Sequence, residues 1–322
     1  MGRVHVVAMP MGVGGVVRSA HLTPLLPLSL ARWGGPGVTI QAAFFSVNPW
    51  LAVGVIVVSA VVMTAIMLLL RKHAPPGGRF ADSDRASGVF GFLGAGFVIL
   101  LGFIIFLSFG TYESAATRAD AEAAAVVSQF RAAADFGGDR AEVAQGDLVC
   151  YARSVIAQEW PALSRGERSP VTEDWAVALD DVGVEEQPAT SPEVQPVKAW
   201  WAATNERNSG RSGRMLVAEG QIPTLLWALL VIGAILVVGW ILLYADPEEG
   251  WLAQASMMGG VTVLVVAALL AVQVLAVPFA GESGSIDTGS MEYALVQMDQ
   301  FAKAEGVPVE APCDAVGVPF KN

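Results

Sequence analysis

Few residues in this sequence have the type and spacing that chemistry demands. The three histidines, His5, His21 and His73, stand in tails or loops, with no ligand-like spacing to one another or to the two cysteines, Cys150 and Cys313. No metal site and no cofactor is therefore expected. The chain has no G-x-x-x-x-G-K-[ST] run to cradle a phosphate and no G-x-S-x-G turn to present a nucleophilic serine. Gly91-x-x-Gly94-x-Gly96 falls inside an apolar run, where glycines serve close helix packing. Gly88, Gly91, Gly94 and Gly102 are candidates for that face, with Gly233 and Gly239 as weaker versions. The one set that would signal a membrane enzyme is Glu122, Glu159 and Arg214 meeting around a single pocket. On residue types alone the chain does not read as an enzyme.

The elements that must position these residues follow from composition. Hydrophobic residues make up 54 % of the 322 and charged residues only 15 %, with a net charge of −11. A soluble domain has about 25 % charged residues, so a soluble enzyme and a disordered chain are both excluded. The acidic balance offers no overall attraction to nucleic acid. The apolar excess lies in four blocks, Trp50–Leu70, Val89–Phe109, Ile222–Tyr244 and Ser256–Val277, none with Asp, Glu, Lys, Arg or His. Each block, about 21–23 residues, extends roughly 30–35 Å as a helix, enough to cross a hydrocarbon core. In lipid every backbone polar group must be bonded internally, so each block is read as a helix. Trp50 and Arg71-Lys72-His73 flank the first span, and Trp227, Trp240 and Trp251 accompany the third, as interfacial residues do.

The fold class is all-α, an integral membrane protein of four transmembrane helices arranged as two hairpins around a polar helical domain. Residues 1–46 read as a disordered or mis-assigned N-terminal tail, too interrupted by Pro and Gly for a signal peptide. Hairpin one covers 47–109, the polar domain 110–221, hairpin two 222–279 and a C-terminal tail 280–322. Within the polar domain, Tyr112, Ala116, Ala119, Ala123, Val127, Phe130 and Ala134 form a stripe of helical period that continues span two until Gly137 and Gly138. Further helices are expected over about 140–159 and 171–181 and from Val197 onward, with 185–196 as a loop.

Charge patterning assigns the membrane sides. The loop 71–88 carries Arg71, Lys72, Arg79 and Arg85, whereas 246–255 carries acids and no base. Lys and Arg in short loops mark the cytoplasmic side, which puts both short loops inside and the 110–221 domain outside the cell membrane. Arg207, Arg211 and Arg214, close to span three, pull the other way. Cys150 and Cys313 share one side in either orientation. Outside, they are a candidate disulfide closing the tail onto the domain; the alternative is two unrelated cysteines. The spans hold only Ser59, Thr64, Ser108, Thr262 and Gln273 as polar residues. Proton-coupled pumps carry ionisable groups at this depth, so a passive pore or simple helix packing is the expectation.

Several ordered pieces carry a family resemblance over about 86–302. They are LLGFIIFLSFGTYE leaving span two, Ala121-Glu122-Ala123, Tyr151, Glu159-Trp160-Pro161, Arg211 and Arg214 before IPTLLW (Ile222–Trp227), and Pro278-Phe279-Ala280-Gly281. Together they resemble a bacterial membrane family of unknown function termed bestrophin-like. The resemblance implies a distant likeness to bestrophins, pentameric anion channels whose four-span subunits carry a helical domain between spans two and three. It implies a homo-oligomer in the lipid bilayer, with Phe103, Phe106 and Phe109 as candidates for the aromatic neck and Ser108 beside them on the pore. The family pattern often has a basic residue before Pro-Phe, where this chain has Val277. Bestrophins keep the interhelical domain in the cytoplasm, opposite to the side that the charge rule gives.

The same motif residues have structural readings. Glu122 is placed to pair with Arg118 at i,i−4. Tyr151 and Glu159 share nearly one helical face, and Trp160-Pro161 ends a helix. Arg211 and Arg214 suit lipid headgroups or the domain's acids, and Pro278-Phe279 ends span four. Two functions are therefore carried forward: a passive bestrophin-like ion channel, and a non-transporting scaffold or sensor with an extracytoplasmic helical domain. A Cys150–Cys313 bridge predicts that impermeant thiol reagents label neither cysteine on intact cells until a reductant is added. Labelling of both without reductant contradicts the bridge.

Overall fold

The computed structural model describes residues 49–80, 82–185, 194–218, 222–280, 284–306 and 309–320. The expected N-terminal tail, 1–46, lies outside the described residues. Among the described residues the chain is helical, with one isolated antiparallel bridge between Cys313 and Pro319 and no strand. Four helices are long and apolar enough to cross a membrane: α1 (Pro49–Lys72), the first part of α2 (Ser83–Ala134), α7 (Thr224–Leu242) and α8 (Trp251–Ala276).

The expected second span is part of a much longer element. α2 runs 52 residues without a break, about 78 Å at the helical rise. The Asp82 side chain caps its start by accepting from the Arg85 amide at 2.9 Å. Its end is fixed by Gly137 and Gly138, whose φ values of 73° and 60° are left-handed.

The packing of the spans is not simply between sequence neighbours. α1 lies mainly along α8, with Met67 of α1 packed on Ile241, Ala245 and Met258. α2 sets Phe97, Leu101 and Ile104 against Leu230, Ala234 and Val237 of α7 and Val265 and Val272 of α8. The expected glycine face is corrected here. Gly88, Gly91, Gly94, Gly102 and Gly239 have open space where a Cβ would stand. The close approach is at Gly233, where a Cβ would stand 2.6 Å from the Phe97 ring. Gln273, Thr262 and Ser108 are buried inside the chain, as turning a polar group away from lipid requires. At one end Arg71 ties the two short loops together. Its guanidinium donates to the carbonyls of Asp246 and Pro247, each at 3.0 Å, and to that of Glu249.

The second half of α2 builds a separate core with α3 (Gly138–Ser154), a π-helical turn (Val155–Glu159), α4 (Trp160–Leu163), α5 (Pro170–Glu185), α6 (Val194–Ala218) and α9 (Gly289–Glu305). Phe130, Leu148, Tyr151, Leu179, Trp200 and Met298 lie at its centre. A single α-helix over 140–159 was expected. The π turn replaces its last part because Pro161 has no N–H for the carbonyl of Ala157 and its ring would clash there. The Trp160 amide instead reaches back five residues to the Val155 carbonyl. The expected loop at 185–196 is shorter, because α6 already starts at Val194; residues 186–193 lie outside the described residues.

The C-terminal region is not a tail. α9 packs on α2, and residues 309–320 lie as a strap against Gly146, Cys150 and Ser154 of α3 and Trp175 of α5. Cys150 and Cys313 are joined as a disulfide. Trp175 Nε1 donates to the Gly317 carbonyl at 2.7 Å, and a side chain at Gly317 would run into the Ser154 backbone.

α6 brings its backbone close to that of α2. A Cβ at Gly210 would sit 2.8 Å from the Glu122 amide and 2.9 Å from the Arg118 carbonyl, and one at Gly213 would sit 2.8 Å from the Arg118 stem. Gly210→Ala should therefore lower stability by about 1–3 kcal/mol through overpacking. Gly54→Ala in α1, which meets open space, should not. Thermal unfolding in detergent checks both, and equal midpoints for Gly210→Ala and the parent would refute the close approach.

Candidate functional site

The close approach of α6 to α2 sets up a buried charge network. Arg207, Arg211 and Arg214 recur at i, i+4 and i+7 and so occupy one face of α6. Arg214 grips Glu122 of α2 with two bonds, Nε to Oε2 at 2.8 Å and Nη2 to Oε1 at 2.9 Å. Its Nη2 also reaches Glu159 Oε2, at the end of the π turn, at 2.6 Å. Arg211 Nη2 takes the other oxygen of Glu159 at 2.7 Å and Glu173 of α5 at 3.0 Å. Tyr151 of α3 donates its hydroxyl to Glu122 Oε1 at 2.7 Å. Glu122, Glu159, Tyr151 and Arg214 are all fully buried.

Aromatic rings and a third arginine extend the cluster. The Arg214 guanidinium lies over the Trp160 ring at 4.8 Å, and that of Arg207 over the Tyr151 ring at 5.2 Å. Trp160 meets Phe279 edge to face at 5.5 Å and donates its Nε1 to the Ile286 carbonyl at 3.0 Å. Arg207 pairs with Asp180 at 2.7 Å and donates to Gln129 Oε1 at 3.3 Å, while Gln129 Nε2 donates to Thr204. Pro278, two residues past α8, accepts at its carbonyl from the Ile286 amide at 2.7 Å. It thereby anchors the chain reversal that presents Phe279.

The electrostatics favour the charged forms of Glu159, Arg211 and Arg214. Burial alone would push the Glu159 carboxyl up, but the guanidiniums of Arg214 and Arg211 overturn that and hold it below the usual carboxylate range. Burial would also discharge Arg211 and Arg214. The facing carboxylates, Glu159 for Arg211 and Glu122 with Glu159 for Arg214, push both above the ordinary guanidinium value. Burial, reinforced by Glu122 and Glu159, raises the Tyr151 hydroxyl, so it stays a donor. Asp147, on the same helix as Tyr151, is pushed up to about 6 by burial.

This arrangement brings together Glu122, Tyr151, Glu159, Trp160, Arg211, Arg214 and Phe279, with Pro278 next to them. It corrects the expected Glu122–Arg118 pair. Arg118 is exposed and lies alongside Gly213, whereas the glycines let Arg214 reach Glu122 across the helix pair. Arg211 and Arg214 face the domain's acids, not lipid. Glu122, Glu159 and Arg214 do meet, as an enzyme would require. Every oxygen of both carboxylates accepts from an arginine or a tyrosine. Sequence reasoning missed Gln129, Glu173, Asp180 and Arg207. The arginine spacing on α6 was the signal available for the last.

The membrane residues divide differently. Phe103, Phe106 and Phe109 are 59, 73 and 53 % exposed on the outer side of α2. Ser108 is 4 % exposed and faces inward, so one wall cannot contain both it and the phenylalanines. The cause is helical periodicity, which puts Ser108 about 160° from Phe106 around the axis.

Fold and site define an all-α, multi-pass membrane protein in which a helix continuous with one span is braced by buried ion pairs. The sequence profile of the Bestrophin-like domain matches residues 53–284, so the chain belongs to the Bestrophin-like domain family. The match takes in the whole buried network and ends before α9 and the strap. Comparison with characterised proteins and with solved structures returns no match.

Breaking one buried pair strands the other charge, at a cost of about 3–5 kcal/mol. Glu159→Gln should lower stability by that order at neutral pH. Because the folded-state pKa of Glu159 is depressed, the contribution is present above the unfolded value, about 4.3, and is lost as pH falls through the lower folded value. Thermal midpoints of parent and variant should therefore differ widely at pH 7 and converge at strongly acid pH. A difference independent of pH would contradict the ionised network.

Proposed function

We propose that the chain is one subunit of a homo-oligomeric passive ion pore of anion type in the plasma membrane, a pentamer as in bestrophins. In this reading the four spans form two helical hairpins. The 110–221 segment is a polar domain on the outer side, and no catalytic step is involved. The observation that carries it is the outer face of α2, where Phe103, Phe106 and Phe109 are exposed on one apolar helix with no ionisable residue within the span. The open positions at Gly91 and Gly102 add to that unpartnered side. An uncharged aromatic constriction suits gating by dewetting. Membership of the Bestrophin-like domain family supports it further.

A second reading, a non-transporting scaffold or sensor, is favoured by the Cys150–Cys313 disulfide. A bridge of that kind belongs to an oxidising compartment, whereas bestrophins keep the corresponding domain in the cytoplasm.

Purified protein in a planar bilayer separates the two. The pore reading predicts chloride conductance, and Phe106→Ala should change its size or its gating by several-fold. A folded oligomer that never conducts, or a conductance indifferent to substitution at both Phe103 and Phe106, favours the scaffold.

A further inference from the structure

α9 and the strap lie beyond the matched domain, and with α2 and α3 they enclose a cleft of about 740 Å³. That volume is in the range of small-molecule sites, about 300–1,000 Å³. Its accessible walls are mostly apolar, offered by the partly exposed Val149, Leu295, Val296 and Val309 over the buried Phe130 and Met298, and Arg153 and Lys303 also line it. Lys303 is neutralised by Asp299 at 2.6 Å. Arg153 is not. Its Nη1 donates in long bonds to the carbonyls of Cys313 at 3.4 Å and Asp314 at 3.3 Å and to Cys313 Sγ at 3.9 Å. Among the described residues no carboxylate lies within ion-pair distance of it.

The contrast with the other arginines identifies the ligand chemistry. Arg207, Arg211 and Arg214 each face a carboxylate, as a buried charge requires. Arg153 is half-buried beside an apolar cleft, and it lacks that partner. A carboxylate on a ligand would supply the missing charge-assisted bond while its body removes the cleft walls from water. We infer that this cleft binds a monoanionic amphiphile, a carboxylate on an alkyl or aryl body, with its head on Arg153 and its body along Val149, Leu295 and Val309. The site stands independently of conduction, since none of its residues belongs to the spans or to the buried ion pairs.

The test is calorimetric titration of the full chain in lipid nanodiscs, with empty nanodiscs as the blank, using octanoate and its neutral isostere octanamide. Octanoate should bind about tenfold more tightly than octanamide, the value of one charge-assisted bond. Arg153→Gln should erase that preference while leaving weak binding of both. Val296→Trp, which fills the cleft mouth from an exposed position of α9, should abolish binding of both. Replacing octanoate by 2-naphthoate tells an alkyl body from an aryl one. Equal affinities for octanoate and octanamide, no heat from octanoate or naphthoate, or octanoate binding unchanged by Val296→Trp overturns the proposal. If Arg153→Gln loosens the strap, Val296→Trp and the amide comparison still decide.

Discussion

The Arg214 guanidinium, gripped by Glu122 and Glu159 at once, is the interaction on which the rest of the domain depends. Glu122 belongs to α2, Glu159 to the π turn and Arg214 to α6. Three segments far apart in sequence are thus locked by one planar group whose fork matches carboxylate geometry. Such a buried set is costly unless partnered; Tyr151, Arg211 and the Trp160 ring surround it, while Arg214 Nη1 makes no hydrogen bond. The two glycines of α6 are what make it geometrically available, because any larger residue at Gly210 would hold Arg214 away from Glu122.

That lock has a consequence for the membrane. α2 is continuous from the polar core into the second span, so bracing α2 against α6 fixes the direction in which that span leaves the core. The outer face of α2 is then presented as a rigid apolar surface bearing phenylalanines, not as a flexible wall. The strap, with its disulfide and the Trp175–Gly317 bond, braces the opposite side of the same core. The bestrophin-like account uses this rigidity: a passive pore needs a wall whose position does not depend on a moving charge.

Local chemistry explains what was legible in the sequence. The four spans could be read because absence of charge over about 20 residues is a property of the chain itself. The stripe from Tyr112 to Ala134 could be read because helical period is local too. Glu122, Tyr151, Glu159, Trp160, Arg211 and Arg214 were singled out through family resemblance, but their meeting was not legible, since it depends on how α6 docks. The Glu122–Arg118 expectation failed for the same reason: i,i−4 spacing is visible in sequence, and a cross-helix partner admitted by Gly210 is not. Ser108 and Phe106 looked equivalent until the helix phase relative to α7 was known. The C-terminal region read as a tail because the short amphipathic α9 and a strap without regular structure leave little pattern. Their order comes from docking and from the pairing of Cys150 with Cys313.

The claim that α2 lines a pore between copies stands or falls on assembly. Native mass spectrometry of the full chain released from lipid nanodiscs measures it directly. The account predicts a single closed ring of five subunits. A monomer or a dimer, with the outer face of α2 left to lipid, would contradict it.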